Sequence, residues 1–209
     1  MFKNKIFVVV DVETNGPIVS QDEMTSFGAV IVDSELKNTF YARLECKKIG
    51  YMETVDTTQP IETPIQAMTR FEVWLNSFKN TELNSFVFFS DNPCFDWQFI
   101  NYYFLTTIKH NPFGFSGRRI GDIWSGFTNN INDHSNWRNM VKTIHDHHPT
   151  NDAIGHAEAL NEIVNKMKNN QNKNQNQTIV KKGDWICPQC NIVIFASKNM
   201  CKKCFSKKP

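Results

Sequence analysis

Side chains able to bind metal and move protons fall into short clusters. Asp11 and Glu13 stand two residues apart at the end of the apolar run IFVVVDVE. Asp91 and Asp96 flank Asn92-Pro93-Cys94-Phe95, and His145, His147 and His148 crowd into HDHHPTND, which ends at Asp152. In an extended segment, residues two apart share a face, so Asp11 and Glu13 would repel each other unless a cation sat between them. An all-oxygen ligand set suits a hard divalent ion, Mg²⁺ or Mn²⁺. Taken singly, each cluster has an ordinary reading. Asp11 and Glu13 fit a solvated strand-to-turn pair, and Asp96 fits a helix-start acid, with Asp91 competing for the ligand role. The histidines fit either surface positions or a transition-metal site of their own, with His156 one turn beyond Asp152. A further cluster, Cys187-x2-Cys190-x10-Cys201-x2-Cys204, has tetrahedral Zn²⁺ spacing. So short a segment lacks the apolar area to fold without a metal. Two disulfides are the alternative there, and Cys46 and Cys94 are left as free thiols.

The elements that must position these groups follow from apolar periodicity. Ile6–Val12 predicts a buried strand, Thr14 to Pro17 a turn, and Phe27–Val32 and Thr39–Glu45 two more strands; three strands in succession imply an antiparallel meander. Thr63-Pro64-Ile65-Gln66 carries a Thr cap, Pro at the first helical position and Gln three residues after the cap. Ile65, Met68, Phe71, Leu75 and Phe78 follow at helical spacing. Phe86–Phe89 predicts a buried strand, Trp97–Ile108 an apolar helix with Asp96 at its start, Ile120–Trp124 a short strand, and Met140–Ile144 a helix. Asn129–Trp137 reads as surface loop. Arg118 and Arg119 serve either a phosphate or the body's own acids. After Pro149, Thr150 or Asn151 caps a last helix with Ala153, Ala157, Leu160, Val164 and Met167 inside and Asp152 in its first turn.

At 209 residues, the chain is long enough for one full core and a small appendage. Its formal charge of +2 hides an asymmetry, since residues 166–209 hold ten Lys and one acid, leaving 13 Lys and Arg against 20 acids in residues 1–165. An acidic body suits cations and a basic tail suits an anion, most simply a nucleic acid. With no apolar stretch of spanning length and no small-residue cleavage site near the N-terminus, the expectation is a soluble, intracellular protein without membrane partners.

Together, D-x-E on a first strand, an Asp after an apolar strand, and a His five residues before an Asp opening the last helix resemble the three motifs of the DEDDh 3′-to-5′ exonucleases. That family includes ribonuclease T, oligoribonuclease and polymerase proofreading subunits. The resemblance covers roughly residues 5–168. It implies an α/β, ribonuclease-H-like mixed sheet flanked by helices. It also implies two Mg²⁺ or Mn²⁺ ions held by Asp11, Glu13, Asp96 and Asp152, with His147 as the general base. His148 stands next to His147, and the five-residue offset to Asp152 favours His147. Two divalent ions about 3.5–4 Å apart serve the attacking and leaving oxygens of phosphodiester hydrolysis, and an imidazole of pKa near 6.5 suits the proton of the attacking water. The implied products are nucleoside 5′-monophosphates, with Thr14, Asn15 and Gly16 near the terminal nucleotide and Met24 either an apolar contact or plain core.

Residues 169–182 are rich in Asn, Gln and Lys and read as a flexible linker. Residues 183–209 resemble the zinc finger type first described in Ran-binding protein 2, with one structural Zn²⁺ on the four cysteines. In that finger family, the ubiquitin-binding type carries Thr-Phe after the second cysteine; Asn191-Ile192 here argues against ubiquitin. Asp184, Trp185 and Lys198 fit the RNA-binding type, whereas Ile194 and Ser197 depart from it. A stacking Trp185 among lysines suits sequence-tolerant single-strand binding, and a Trp185 that forms the small core of the finger is the other reading. The expectation is a 3′-to-5′ exonuclease on single-stranded nucleic acid, RNA ahead of DNA, with the finger as a tether. A DNA proofreading or repair exonuclease and a non-catalytic RNA-binding or adaptor protein are the alternatives. A homodimer is compatible with the sequence, which leaves the oligomeric state open.

Overall fold

The computed structural model describes residues 5–47, 56, 58–176 and 182–209, without the side chains of 171–176. The apolar run at the N-terminus forms β1 (Lys5–Thr14), followed by β2 (Met24–Ile31) and β3 (Thr39–Leu44). β1 and β2 are antiparallel, with Asp11 opposite Gly28 and Glu13 opposite Ser26, and the register slips between Glu13 and Thr14. Every residue of β2 is buried, as expected of an inner strand covered on both faces. Short β4 (Ile61–Glu62), β5 (Ser85–Ser90) and β6 (Gly117–Arg119) complete a six-stranded sheet of order β4-β3-β2-β1-β5-β6. β5 runs parallel to β1 and β6 parallel to β5, so three antiparallel strands are followed by parallel ones, as the sequence leads one to expect.

Strand alternation sends β1 in two directions. Ile6, Val8, Val10 and Val12 enter the apolar core shared with α1 (Pro64–Asn76) and α2 (Pro93–Thr107), where Phe71, Phe99, Ile100 and Phe104 are fully buried. Asp11 and Glu13 therefore project from the opposite face. The long helix α4 (Pro149–Asn176) begins on that face. Thr150 donates its hydroxyl to the Phe40 carbonyl (3.4 Å), Asn161 donates to the Asp33 carbonyl (2.8 Å), and His148 stacks on Tyr41 (5.0 Å, 17°). The contact is close because Gly28 carries no side chain: a Cβ there would run into the backbone of Pro149 and Thr150.

The capping box of α1 forms as expected, with Gln66 N–H donating to Thr63 Oγ1 (3.4 Å) and Thr63 N–H donating to Gln66 Oε1 (2.9 Å). Ile65, expected on the inner face, is exposed instead. Ile120–Trp124 is not a strand. It opens α3 (Ile120–Thr128), whose buried residues Ile120, Gly121 and Ser125 follow helical spacing, a period that a short apolar run does not resolve. Trp137, expected in a surface loop, is fully buried on a 3₁₀ turn (Asn136–Met140). Nor is Met140–Ile144 one helix. Met140 ends the 3₁₀ turn, and Glu158 of α4 accepts from the N–H groups of Lys142 (2.6 Å) and Thr143 (3.0 Å), which takes the donors that a helix would use. Pro149 is the first residue of α4, so neither Thr150 nor Asn151 is its cap.

Residues 1–164 and 165–209 form two compact units. The helix runs to Asn176, through the first eight residues of the expected linker; 177–181 lie outside the described residues. In the second unit, β7 (Trp185–Ile186) pairs antiparallel with β8 (Val193–Ile194). Each cysteine pair sits in a tight turn: Asn191 N–H donates to the Cys187 carbonyl (2.9 Å) and Phe205 N–H to the Cys201 carbonyl (2.8 Å), both donors at positive φ (53° and 60°).

Candidate active site

A cavity of about 520 Å³ opens at the C-terminal end of β1 and β5, lined by Asp11, Glu13, Asp91, Asp96, Asp152 and His156 among others. Each acid is brought there by a different device. Asp11 and Glu13 come from β1 just before its register slip, and a bulge beside a site re-aims the side chains next to it. Asp96 stands in the first turn of α2 and is 3% exposed. Its Oδ1 accepts from the Val12 N–H (3.2 Å), which fixes it against β1, while its Oδ2 is buried without a hydrogen bond. Asp152 stands in the first turn of α4, also 3% exposed, at the point where Gly28 lets the helix approach.

The electrostatics follow from this crowding. Burial, reinforced by Asp96, Glu13 and Asp152, pushes the Asp11 carboxyl well above its ordinary range. Burial and neighbouring Asp91 do the same to Asp96. Ligand oxygens of Asp11, Glu13 and Asp152 lie within 4.8 Å of one another. Three acids gathered at this separation, with the orphaned oxygen of Asp96 on the same cavity, fit a divalent cation: the ion relieves the repulsion between the carboxylates.

The histidine loop is organised by a residue that the sequence reading passed over. Asp146 accepts from the His148 N–H (3.0 Å) and from Asn151 Nδ2 (2.9 Å), and its own N–H donates to Asp152 Oδ1 (3.4 Å). Slight burial works the other way, but the Asn151 and His148 hydrogen bonds hold the Asp146 carboxyl below its ordinary value. The D-x-H and D-x4-N spacing of an Asx turn was the available signal. Of the three histidines, His145 borders the cavity, with Nδ1 2.8 Å from Asp152 Oδ2. His147 packs edge-on against His145 (4.5 Å) and adopts a left-handed backbone, φ 60°. Ligand atoms of His145, His147 and Asp152 lie within 4.8 Å of one another. His148 faces away, stacked on Tyr41. His156 borders the cavity too, and burial pushes its imidazole below the ordinary value.

The expected nucleotide contacts fare differently. Thr14 donates its hydroxyl to the Gly16 carbonyl (2.8 Å), and Asn15 accepts from the Glu23 N–H (2.7 Å). These residues build the turn after β1, beside the cavity rather than in its lining. Gly16 leaves room there for the Asp22 carboxylate. Met24 is plain core, fully buried, with its N–H donating to the Tyr103 hydroxyl (2.9 Å).

In the second unit, the four cysteine sulfurs lie within 4.8 Å of one another, with Cys187 to Cys204 at 3.3 Å and Cys190 to Cys201 at 3.4 Å. That grouping fits a zinc finger, where four sulfurs at about 2.3 Å surround one ion. Trp185 is not available for stacking. It is 7% exposed, packed with Cys187, Ile194 and Cys201, and its indole N–H donates to the Lys198 carbonyl (2.7 Å). Asp184 holds the turn by accepting from the Ala196 N–H (2.8 Å). The exposed aromatics of this unit are Phe195 and Phe205, 70% and 72% accessible, and the Lys198 side chain is exposed as well.

No protein-family model matches the chain. Over 173 residues it is 32% identical to the 3′-5′ DNA exonuclease Cap18 of Escherichia coli, covering 74% of this chain and 89% of that protein. The chain belongs to the DEDDh 3′-5′ exonuclease family. Solved structures share this exonuclease fold. The nuclease domain of 3′hExo, a DEDDh family member, bound to rAMP, superposes with a TM-score of 0.59 at 13% identity, covering 79% of this chain and 94% of that one. E. coli Exonuclease I in complex with a dT13 oligonucleotide gives 0.57 at 13% identity, covering 85% and 44%. In this exonuclease, Asp11, Glu13, Asp96 and Asp152 line one cavity.

Proposed function

We propose that this exonuclease hydrolyses single-stranded DNA from the 3′ end, releasing nucleoside 5′-monophosphates, with two divalent ions, Mg²⁺ or Mn²⁺, at Asp11, Glu13, Asp96 and Asp152. The observation that carries the reading is the convergence of Asp11, Glu13 and Asp152 oxygens within 4.8 Å at the mouth of a cavity. When bound, such ions supply the charge that activates water and stabilises the leaving oxygen of a phosphodiester. The chain's own part is to hold and neutralise that charge and to move the proton. Asp11 and Glu13 bind from the sheet, Asp152 from α4, and Asp96 lines the same cavity with one buried oxygen that makes no hydrogen bond. His147 takes the proton of the attacking water. Its left-handed backbone, a conformation rarely kept by a non-glycine residue without cause, is held by the Asp146 turn. His145 lies against both His147 and Asp152 and positions them.

DNA is placed ahead of RNA for two reasons. The relative that is 32% identical is named a DNA exonuclease. The likeness of the finger to the RNA-binding type used Trp185 as a stacking ring, and Trp185 is buried. The basic second unit serves as a tether: Phe195 and Phe205 offer exposed rings among Lys198, Lys202, Lys203 and Lys207, the combination that binds single strands without reading sequence. The structural ion of that unit is Zn²⁺ on Cys187, Cys190, Cys201 and Cys204. Among the described residues, no helix is long and apolar enough to cross a membrane.

The deciding experiment follows 5′-labelled single-stranded DNA and RNA of matched sequence in Mg²⁺ or Mn²⁺, with Asp11→Ala in parallel. A ladder shortening from the 3′ end, faster on DNA and lost in the variant, is expected. A faster RNA ladder would overturn the choice of polymer. Absence of metal-dependent cleavage of either polymer would overturn the enzyme reading.

A further inference from the structure

His156 is the one cavity-lining imidazole that neither the proposed proton transfer nor the histidine loop uses. It rises from α4 one turn beyond Asp152, its side chain 12% exposed. Its Nδ1 is buried and makes no hydrogen bond; the nearest acid, Asp11 Oδ1, lies 3.9 Å away. That separation is too long for a hydrogen bond. It is close to what two ligands of one ion show, since atoms about 2.1 Å from a shared metal can lie anywhere from about 3 to 4 Å apart. The ring is held in place from outside, edge-on to the fully buried Trp137 (5.4 Å, 70°), whose indole N–H donates to the His134 carbonyl (3.0 Å). Asp91 completes the set. Ligand atoms of Asp11, Asp91 and His156 lie within 4.8 Å of one another. Asp91 is fixed at both ends, its carbonyl accepting from Arg119 Nε (3.1 Å) and its Oδ2 meeting Arg138 (3.1 Å).

We infer that Asp11, Asp91 and His156 form a cation site of mixed nitrogen and oxygen ligands. It shares Asp11 with the all-oxygen group of Asp11, Glu13 and Asp152 and prefers a transition ion such as Mn²⁺ to Mg²⁺. The inference rests on the divalent-metal reading of the cavity and adds Asp91 and His156 to the residues that hold one of its two ions. The ligand chemistry sets the preference. Imidazole suits borderline ions and adds little for Mg²⁺, which favours oxygen and water. Arg138 sharpens the effect: by meeting one oxygen of Asp91 it cancels part of the anionic charge that would hold Mg²⁺ by electrostatics alone. A bridging Asp11 also explains why this residue sits where both groups meet, at the point where β1, α2 and α4 converge.

The test uses the full chain with its zinc in place and reads the ligand atom rather than turnover. Protein carrying ¹⁵N-histidine is titrated with Mn²⁺, and nitrogen hyperfine coupling to the manganese is recorded by pulsed paramagnetic resonance, with unlabelled protein as control. Coupling from an imidazole nitrogen is expected in the wild type. It should be lost in His156→Gln and kept in His145→Gln, and Mn²⁺ stoichiometry should fall from about two to about one in the former while Mg²⁺ binding changes less than twofold. Asp91→Asn should weaken the same Mn²⁺ about tenfold or more, on the scale of a lost ligand contact. Wild-type protein that binds Mn²⁺ without nitrogen coupling overturns the inference, whatever the variants do. So does coupling that survives His156→Gln. Coupling at His156 in a protein that cleaves neither DNA nor RNA would leave the site standing and overturn only the nuclease reading.

Discussion

Asp11 faces Asp96, Glu13 and Asp152 from a largely buried position, where the carboxylates repel one another. Asp11→Asn should lower the rate of 3′-end degradation by more than about 100-fold, since even residues that only support metal ligands reach that scale. A rate within tenfold of wild type at saturating metal would remove Asp11 from the machinery. The histidines divide by the same logic. His147→Ala should lower kcat by about 10²–10⁴, the range of a lost general base, whereas His148→Phe, which keeps the ring stack on Tyr41, should leave kcat within about threefold. If His145→Ala abolishes kcat and His147→Ala does not, the base is His145. The raised carboxyls also dictate how stability varies with pH. Asp11 and Asp96 keep protons in the folded state that the unfolded chain releases above about pH 4. Folding therefore binds protons in that window, and stability falls as pH rises through it. In chelator, Tm should be higher near about pH 5 than near pH 8, and added divalent ions should raise Tm more at the higher pH, where they no longer compete with protons.

At the scale of elements, the site is a meeting of a strand end with two helix starts, and its geometry depends on how near α4 comes to the sheet. Gly28 sets that distance. It lies opposite Asp11 in the register, and the backbone of Pro149 and Thr150 occupies the space where its side chain would be. Gly28→Ala should force α4 outward, at a cost of about 1–3 kcal/mol, typical of overpacking a tight contact. It should also move Asp152 away from Asp11, so that Mn²⁺ affinity falls together with Tm. A variant that loses stability while keeping its metal affinity would mean that Asp152 is positioned by the histidine loop rather than by the helix. The segment before that loop shows how a tertiary contact overrides propensity: Glu158 draws Lys142 and Thr143 into hydrogen bonds to its carboxylate, and residues 141–144, expected in a helix, do not form one.

At the scale of the molecule, an acidic unit is joined to a basic one, and the proposed reading gives divalent ions to the first and a polyanion to the second. A tether raises the local concentration of substrate without touching the chemical step, so deletion of residues 177–209 should raise KM several-fold and leave kcat within about twofold. The salt dependence of KM should flatten with it, because the basic unit's phosphate contacts release counterions. Loss of kcat at saturating substrate would assign the second unit a part in catalysis instead. Zinc removal should have the same kinetic signature as the deletion and a spectroscopic one besides. Trp185 is packed among Cys187, Ile194 and Cys201, so its fluorescence should shift to longer wavelength as the unit unfolds.

The sequence by itself determined whatever depends on short-range pattern. Strand alternation put Asp11 and Glu13 on one face, the capping box of Thr63 and Gln66 started α1, and the spacing after Pro149 put Asp152 in the first turn of the last helix. Two pairs of cysteines at knuckle spacing marked a metal site in the tail, and the order of the acid clusters marked the exonuclease family. Tertiary structure decided what depends on which surfaces meet. Trp185 looks the same in sequence whether it stacks on a base or fills a small core; only the approach of Ile194 and the Lys198 carbonyl makes it core. Met24 beside the expected nucleotide contacts became interior for the same reason. His145 and His156 gained their places at the cavity because Gly28 lets α4 settle on the sheet, a contact between residues more than 100 positions apart. Periodicity reports which face of an element is apolar, but the partner that covers that face, and the groups that meet at its edge, are set by packing over the whole chain.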